Sequence, residues 1–223
     1  MKQNKLLIIF SFIFCLLLFG LSDALAKSSP AGKSIFKTKG CSSCHRRKGP
    51  SVDKEFSDLQ KKKGPDLWFA GSKFKAGFLA TWLANPVPIR PMKFYSLREE
   101  SVRDHPKLEK EDAVSVAKFL MTLKSKKVKL GVVKAKKSAS GRIIFEKKQG
   151  CYGCHKFKKG RNVIGGLSGP TLIGVGSRLN PDWIYAFLKN PKDFHPVGAM
   201  PIYKGILSEA DMLTLSRYLA TFK

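Results

Sequence analysis

Acid is what this chain has least of. Asp and Glu number 16 against 42 Lys and Arg, a net charge of +26 over 223 residues. So one-sided a surface excludes a near-neutral exterior, and added salt should weaken whatever association it drives. Nucleic acid is the usual partner of such charge, yet no nucleic-acid motif is present. Alternating apolar–polar runs are missing as well, so no strand or hairpin is expected. Histidine is scarce, with 4, and the 5 cysteines include no long-range pair of the kind that staples distant segments. No Ser/His/Asp set or other catalytic constellation stands out. Apolar residues are not lacking: at 43% they exclude a disordered chain.

The N-terminus reads as an export leader. Lys2 and Lys5 precede an almost wholly apolar run from Leu6 to Leu21, and Ala24 and Ala26 place small residues where a signal peptidase reads them. Cleavage after Ala26 is expected, giving a leader over 1–26 and a periplasmic mature chain. The alternative is a retained membrane anchor, because the run is only slightly short of the ~20 residues a span needs. Cys15 lies inside the run and lacks the small residues that precede a lipidated cysteine.

What remains says the same thing twice. GKSIFKTKGCSSCH over 32–45 faces GRIIFEKKQGCYGCH over 141–155. Gly64-Pro65-Asp66-Leu67 faces Gly169-Pro170-Thr171-Leu172, and FLATWLANP over 78–86 faces WIYAFLKNP over 183–191. Pro91-Met92 and Met200-Pro201 follow. Each half closes on an amphipathic stretch, VSVAKFLMTL (114–123) and LTLSRYLATF (213–222). The expected division is a first domain over 27–124, a linker over 125–139 and a second domain over 140–223. Between Lys124 and Ser140 stand seven lysines and no acid, which predicts a solvated linker.

Local signals are helical, and the fold class expected is all-α, with two tandem bundles. Asn180 suits a cap and Pro181 the first helical position; that helix should stop before Pro191. Ser208 with Asp211 resembles a capping box. Met212, Leu215, Tyr218 and Leu219 fall on one helical face, as do Val116, Phe119, Leu120 and Leu123 in the first half.

Cys-x-x-Cys-His is the attachment signature of c-type haem. Two thiols at this spacing can add across the two vinyl groups of one porphyrin, and the adjacent imidazole falls under the iron. Cys41, Cys44 and His45 would hold one haem; Cys151, Cys154 and His155 would hold another. A zinc site would need four ligands gathered from both pairs, and a redox dithiol would not need the histidine twice. For the sixth iron ligand the chain offers methionine, which raises the reduction potential. Met92 and Met200 stand at matched places after the Asn-Pro turn, so Met92 is expected to ligate the first iron and Met200 the second. Met121 and Met212 lie within the closing helices at unmatched places, so packing accounts for them. Bis-histidine ligation is the competitor, with His105 and His195 the spare imidazoles. His105 sits in a charged stretch, Arg98 to Lys110, that the second half lacks. The carbonyls of Pro65 and Pro170 could accept the N–H of His45 and His155; a plain tight turn is the alternative.

Each half resembles a class I cytochrome c domain, and the pair resembles bacterial dihaem cytochromes of the cytochrome c4 kind. The resemblance covers nearly all of 31–223. It implies that the first and last helices of each half cross near Gly32 or Phe36 with Phe119, and near Gly141 or Phe145 with Tyr218. It also implies that Pro65 and Pro170 accept from the ligating histidines. Met92 is followed by Lys93, where Met200 has Pro201, and this departure marks the first half as the less regular. The implied function is electron carriage between redox partners, or service as an electron-transfer subunit of a respiratory oxidoreductase. No small-molecule substrate is expected. The partners would be acidic redox proteins, with an anionic membrane surface as a second possibility. The competing reading is a dihaem enzyme, a peroxidase or small-molecule oxidase, with a displaceable ligand at the first haem.

Overall fold

A computed structural model describes residues 28–93, 96 and 98–223. The expected leader lies outside them. Among the described residues no helix is long and apolar enough to cross a membrane.

The first half is built from α1 (Ser28–Thr38), α2 (Phe56–Lys61), α3 (Ala70–Lys73), α4 (Ala76–Ala84) and α5 (Lys110–Met121). Helices α1 and α5 cross closely, because Gly32 leaves no side chain between them; a Cβ there would lie 2.9 Å from that of Phe119. The Phe36 and Phe119 rings meet edge to face beside the crossing, 5.6 Å apart. Val116, Phe119 and Leu120 are buried in the core of this half, while Leu123 lies past the end of α5 and only packs against it.

The second half repeats the plan with α6 (Ala139–Ile143), α7 (Val175–Arg178), α8 (Pro181–Lys189) and α9 (Glu209–Leu219). Gly141 makes the equivalent crossing, 2.6 Å from the Tyr218 Cβ once a Cβ is placed on it. The stretch from Gly141 to Cys151 is one residue longer than that from Gly32 to Cys41. The extra residue is absorbed where α6 widens into a π turn over Ile144–Lys148. Both motifs therefore begin alike, in a 3-10 turn entered through a left-handed glycine, Gly40 or Gly150. At α9 the Ser208 hydroxyl accepts from the Asp211 N–H at 3.0 Å.

Two elements depart from expectation. A small antiparallel hairpin, β1 (Phe157–Lys159) with β2 (Asn162–Ile164), follows the second motif, turning at Gly160 with φ 62. Three residues per strand are too few to show alternation. The lysine-rich connector keeps its lysines in water but buries Val128 and Val133. The Asp182 carboxylate at the start of α8 accepts the backbone N–H groups of Gly131, Val132 and Val133 at 2.7–2.9 Å. The connector is thus tied across the second half, because its valines find apolar cover there and its amides find an acid.

The two halves share an interface with local two-fold character. Phe74 and Leu179, equivalent residues of the duplication, form an antiparallel bridge. Lys75 N–H donates to the Arg178 carbonyl at 3.0 Å, and Asn180 N–H donates to the Lys73 carbonyl at 2.9 Å, the same bond made twice. Asn180 flanks α8 without using its side chain as a cap. Its amide instead donates across the interface to the Ser72 and Phe74 carbonyls. Phe69, from the first half, is buried inside the second-half core, against Phe194 at 5.1 Å and Trp183 at 6.4 Å.

Candidate functional site

Each CxxCH motif is placed by a 3-10 turn, Cys41–Ser43 or Cys151–Gly153. The His45 and His155 N–H groups return to the Cys41 and Cys151 carbonyls at 3.0 and 3.1 Å. This turn folds Cys44 and His45 back onto Cys41, and Cys154 and His155 back onto Cys151. None of the four motif cysteines is in a disulfide.

Behind each motif a proline carbonyl holds the ring. His45 Nδ1 lies 2.8 Å from the Pro65 carbonyl oxygen, and His155 Nδ1 lies 2.7 Å from that of Pro170. A carbonyl only accepts, so the proton sits on Nδ1 and the Nε2 lone pair is left for a metal. The preceding glycine is needed at both places. A Cβ on Gly64 would lie 2.7 Å from His45 Cε1, and one on Gly169 would lie 2.6 Å from both Cε1 and Nδ1 of His155. Burial pushes both imidazoles below the usual histidine range, against the opposing effect of the proline bonds. Each ring stays neutral, the form that ligates iron. In the second half the proline loop is braced from the first. Thr171 N–H donates to the Ile89 carbonyl at 2.9 Å, and Arg90 Nη2 donates to the Ser168 carbonyl at 2.8 Å.

Met200 is half-buried and packs against the second-half core. Met92 is buried at the neck of an added loop, where its backbone bridges to Glu100. Burial, with Lys73, Lys62 and Arg90 nearby, pushes His195 down to about 3. His105 lies beside His45, ring centres 5.9 Å apart, and against Trp82 at 4.7 Å.

The interface between the halves gathers cations without acids. Arg178 is buried, and its guanidinium reaches the carbonyls of Thr171 and Ile173 but, among the described residues, no carboxylate. Lys73, its equivalent in the first half, holds its ammonium over Trp183 at 4.8 Å and Phe74 at 5.0 Å. Burial, with Arg178 and Arg90 nearby, lowers it to about 7; the water that still reaches part of the side chain tempers that shift. Among the described residues, the buried indole Nε1 atoms of Trp68 and Trp183 have no hydrogen-bond partner. Buried donors and cations left this way are costly unless an anion serves them. The two carboxylates that every haem carries are such anions, and they fit this donor set. Composition could have signalled the unpaired charge, but only the packing shows that these residues meet.

Residues 29–124 match the family described as cytochrome c, and residues 137–219 match the family described as cytochrome c oxidase, cbb3-type, subunit III. The chain is a dihaem c-type cytochrome. No curated protein and no solved structure matches it. Two cytochrome c domains in tandem carry two covalently bound haems c, one in each domain, and imply electron transfer to and from redox proteins. The haem supplies an iron that takes up or releases one electron. In this chain His45 and His155 would hold the irons, and the buried donors between the halves would serve the carboxylates.

Proposed function

We propose that this cytochrome is a periplasmic carrier that passes electrons between redox proteins as part of a respiratory chain, in the manner of the cytochrome c4 group. Cys41, Cys44, Cys151 and Cys154 attach the porphyrins, and His45 and His155 ligate the irons, oriented by Pro65 and Pro170. Met200 is the sixth ligand of the second iron; opposite His45 the chain offers Met92 and His105. The observation that carries the reading is the proline carbonyl that holds the histidine ring of each CxxCH motif, at 2.8 Å in the first half and 2.7 Å in the second. The likeness of 137–219 to an oxidase subunit family supports a respiratory setting. The net charge of +26 selects acidic partners, and electron-transfer encounters of this kind are small and transient.

Stopped-flow reduction by an acidic redox protein, with salt varied, tests this. The rate constant should fall steeply as salt rises, whereas reduction by a neutral small molecule should not change. A salt-independent protein reaction would overturn the assignment of an acidic partner. Carbon monoxide added to the reduced protein should leave both haems unchanged, since a carrier keeps both irons six-coordinate.

A further inference from the structure

Building on the assignment of Cys41, Cys44 and His45 as a haem site, we infer that His105, rather than Met92, is the second protein ligand of the first iron. With metal–imidazole bonds of about 2.0 Å and ring centres roughly 1.1 Å behind each nitrogen, two imidazoles facing each other across one iron have centres about 6 Å apart. The His45 and His105 ring centres are 5.9 Å apart, with the planes tilted by 41°.

Simple ring packing also occurs at this distance, so the nitrogens decide. His105 Nδ1 lies 2.9 Å from the Pro106 carbonyl oxygen, as His45 Nδ1 lies 2.8 Å from that of Pro65. Both rings therefore carry their proton on Nδ1 and a bare lone pair on Nε2. Two such imidazoles cannot hydrogen-bond each other through Nε2. Among the described residues no donor bonds to either atom. A metal between them serves both lone pairs at once, and each ring is steered by a proline carbonyl, as ligating histidines usually are by a fixed acceptor.

The path of the chain explains how His105 arrives there. Ser101 N–H donates to the Pro91 carbonyl at 2.8 Å, and Lys93 N–H donates to the Glu99 carbonyl at 2.9 Å. These bonds pinch off the loop between, with Met92 at its neck. Once that loop is set aside, His105 follows Asn85-Pro86 at nearly the same spacing in the sequence at which Met200 follows Asn190-Pro191. Trp82 on α4 packs on the His105 ring and holds it in place. The second half has no counterpart. His195 is engaged by Phe69 and Phe187, at 5.8 and 5.9 Å, and no ring contact joins it to His155. Methionine ligation raises the potential, so the first haem, without it, takes the lower potential of the two.

Electron paramagnetic resonance and near-infrared magnetic circular dichroism of the oxidised mature holoprotein test the inference directly. The expected result is one bis-imidazole and one imidazole–thioether haem in equal amounts. Two thioether-ligated haems would overturn it, and the wild-type spectra decide this without any variant. His105→Ala should turn one haem high-spin and open to carbon monoxide, leaving the thioether-ligated haem as an internal sign that the chain has folded. Met92→Leu should change neither signal; a Met92→Leu protein with an opened haem would also sink the idea. A pyridine haemochrome count below two haems c per chain would instead contradict the haem assignment itself, a separate failure.

Discussion

Phe74 and Leu179 hold the same place in the two halves and face each other across the interface as an antiparallel bridge. Equivalent residues meet only near a two-fold axis, and the paired bonds of Lys75 and Asn180 obey the same symmetry. The duplication therefore produced both the domains and the surface by which they join.

Phe69 makes that joint a shared core. Phe69→Ala should cost about 3–5 kcal/mol, as large-to-small changes of buried aromatics do. Although Phe69 belongs to the first half, the loss should appear in the second. Denaturant unfolding followed by the absorbance of each haem checks this, and a loss confined to the first half would contradict it. Asn180→Ala, which strands the Ser72 and Phe74 carbonyls, should cost about 1–3 kcal/mol and separate the two unfolding transitions.

Gly169→Ala should disturb the second haem. The added Cβ would press on the His155 ring at 2.6 Å, while the Pro170 bond fixes that ring from the same side. The expected outcome is a mixed-spin second haem with a shifted potential, read by absorbance and potentiometry. An unchanged spectrum would mean that the loop moves freely.

Lys73 tests the place of the haem carboxylates. Without an anion it titrates near about 7, so its charge would fade as pH rises through neutrality. Loss of a nearby positive charge disfavours the reduced state, and the potential would then fall with pH. An adjacent carboxylate lifts the lysine above that range. Potentials should therefore be flat around neutrality, and Lys73→Met should lower them evenly on both sides. A wild-type potential that falls through pH 7, with a flat Lys73→Met variant, would show that no carboxylate lies beside it.

Asp182→Ala should free the connector. Three backbone N–H groups, from Gly131, Val132 and Val133, lose their acceptor together. Trypsin should then cut at Lys129 or Lys134 much faster than in the parent, with both haems still attached. Unchanged cleavage would show that Val128 and Val133 suffice to hold the segment.

Much of this was legible in the residues. The haem signature is a covalent pattern of five neighbours, and the helix ends at Pro191 and Ser208 depend on one or two residues each, so neither needs the rest of the chain. The repeat of these signals displayed two domains. The short hairpin after His155 escaped because its strands carry no periodicity. The connector's lysines spoke for solvent, while its two buried valines were too few to announce a docking surface.

By itself, the sequence determined the two CxxCH motifs and the histidines within them, the helical class and the net charge, all set by neighbouring residues or by simple sums. Only the tertiary structure decided that the halves share a core through Phe69, that Lys73 and Arg178 meet without acids, and that His105 stands opposite His45. Those relations join residues far apart in the chain, brought together by the packing of the two halves and, for His105, by the backbone bonds that pinch off the loop after Pro91, and no local pattern records them.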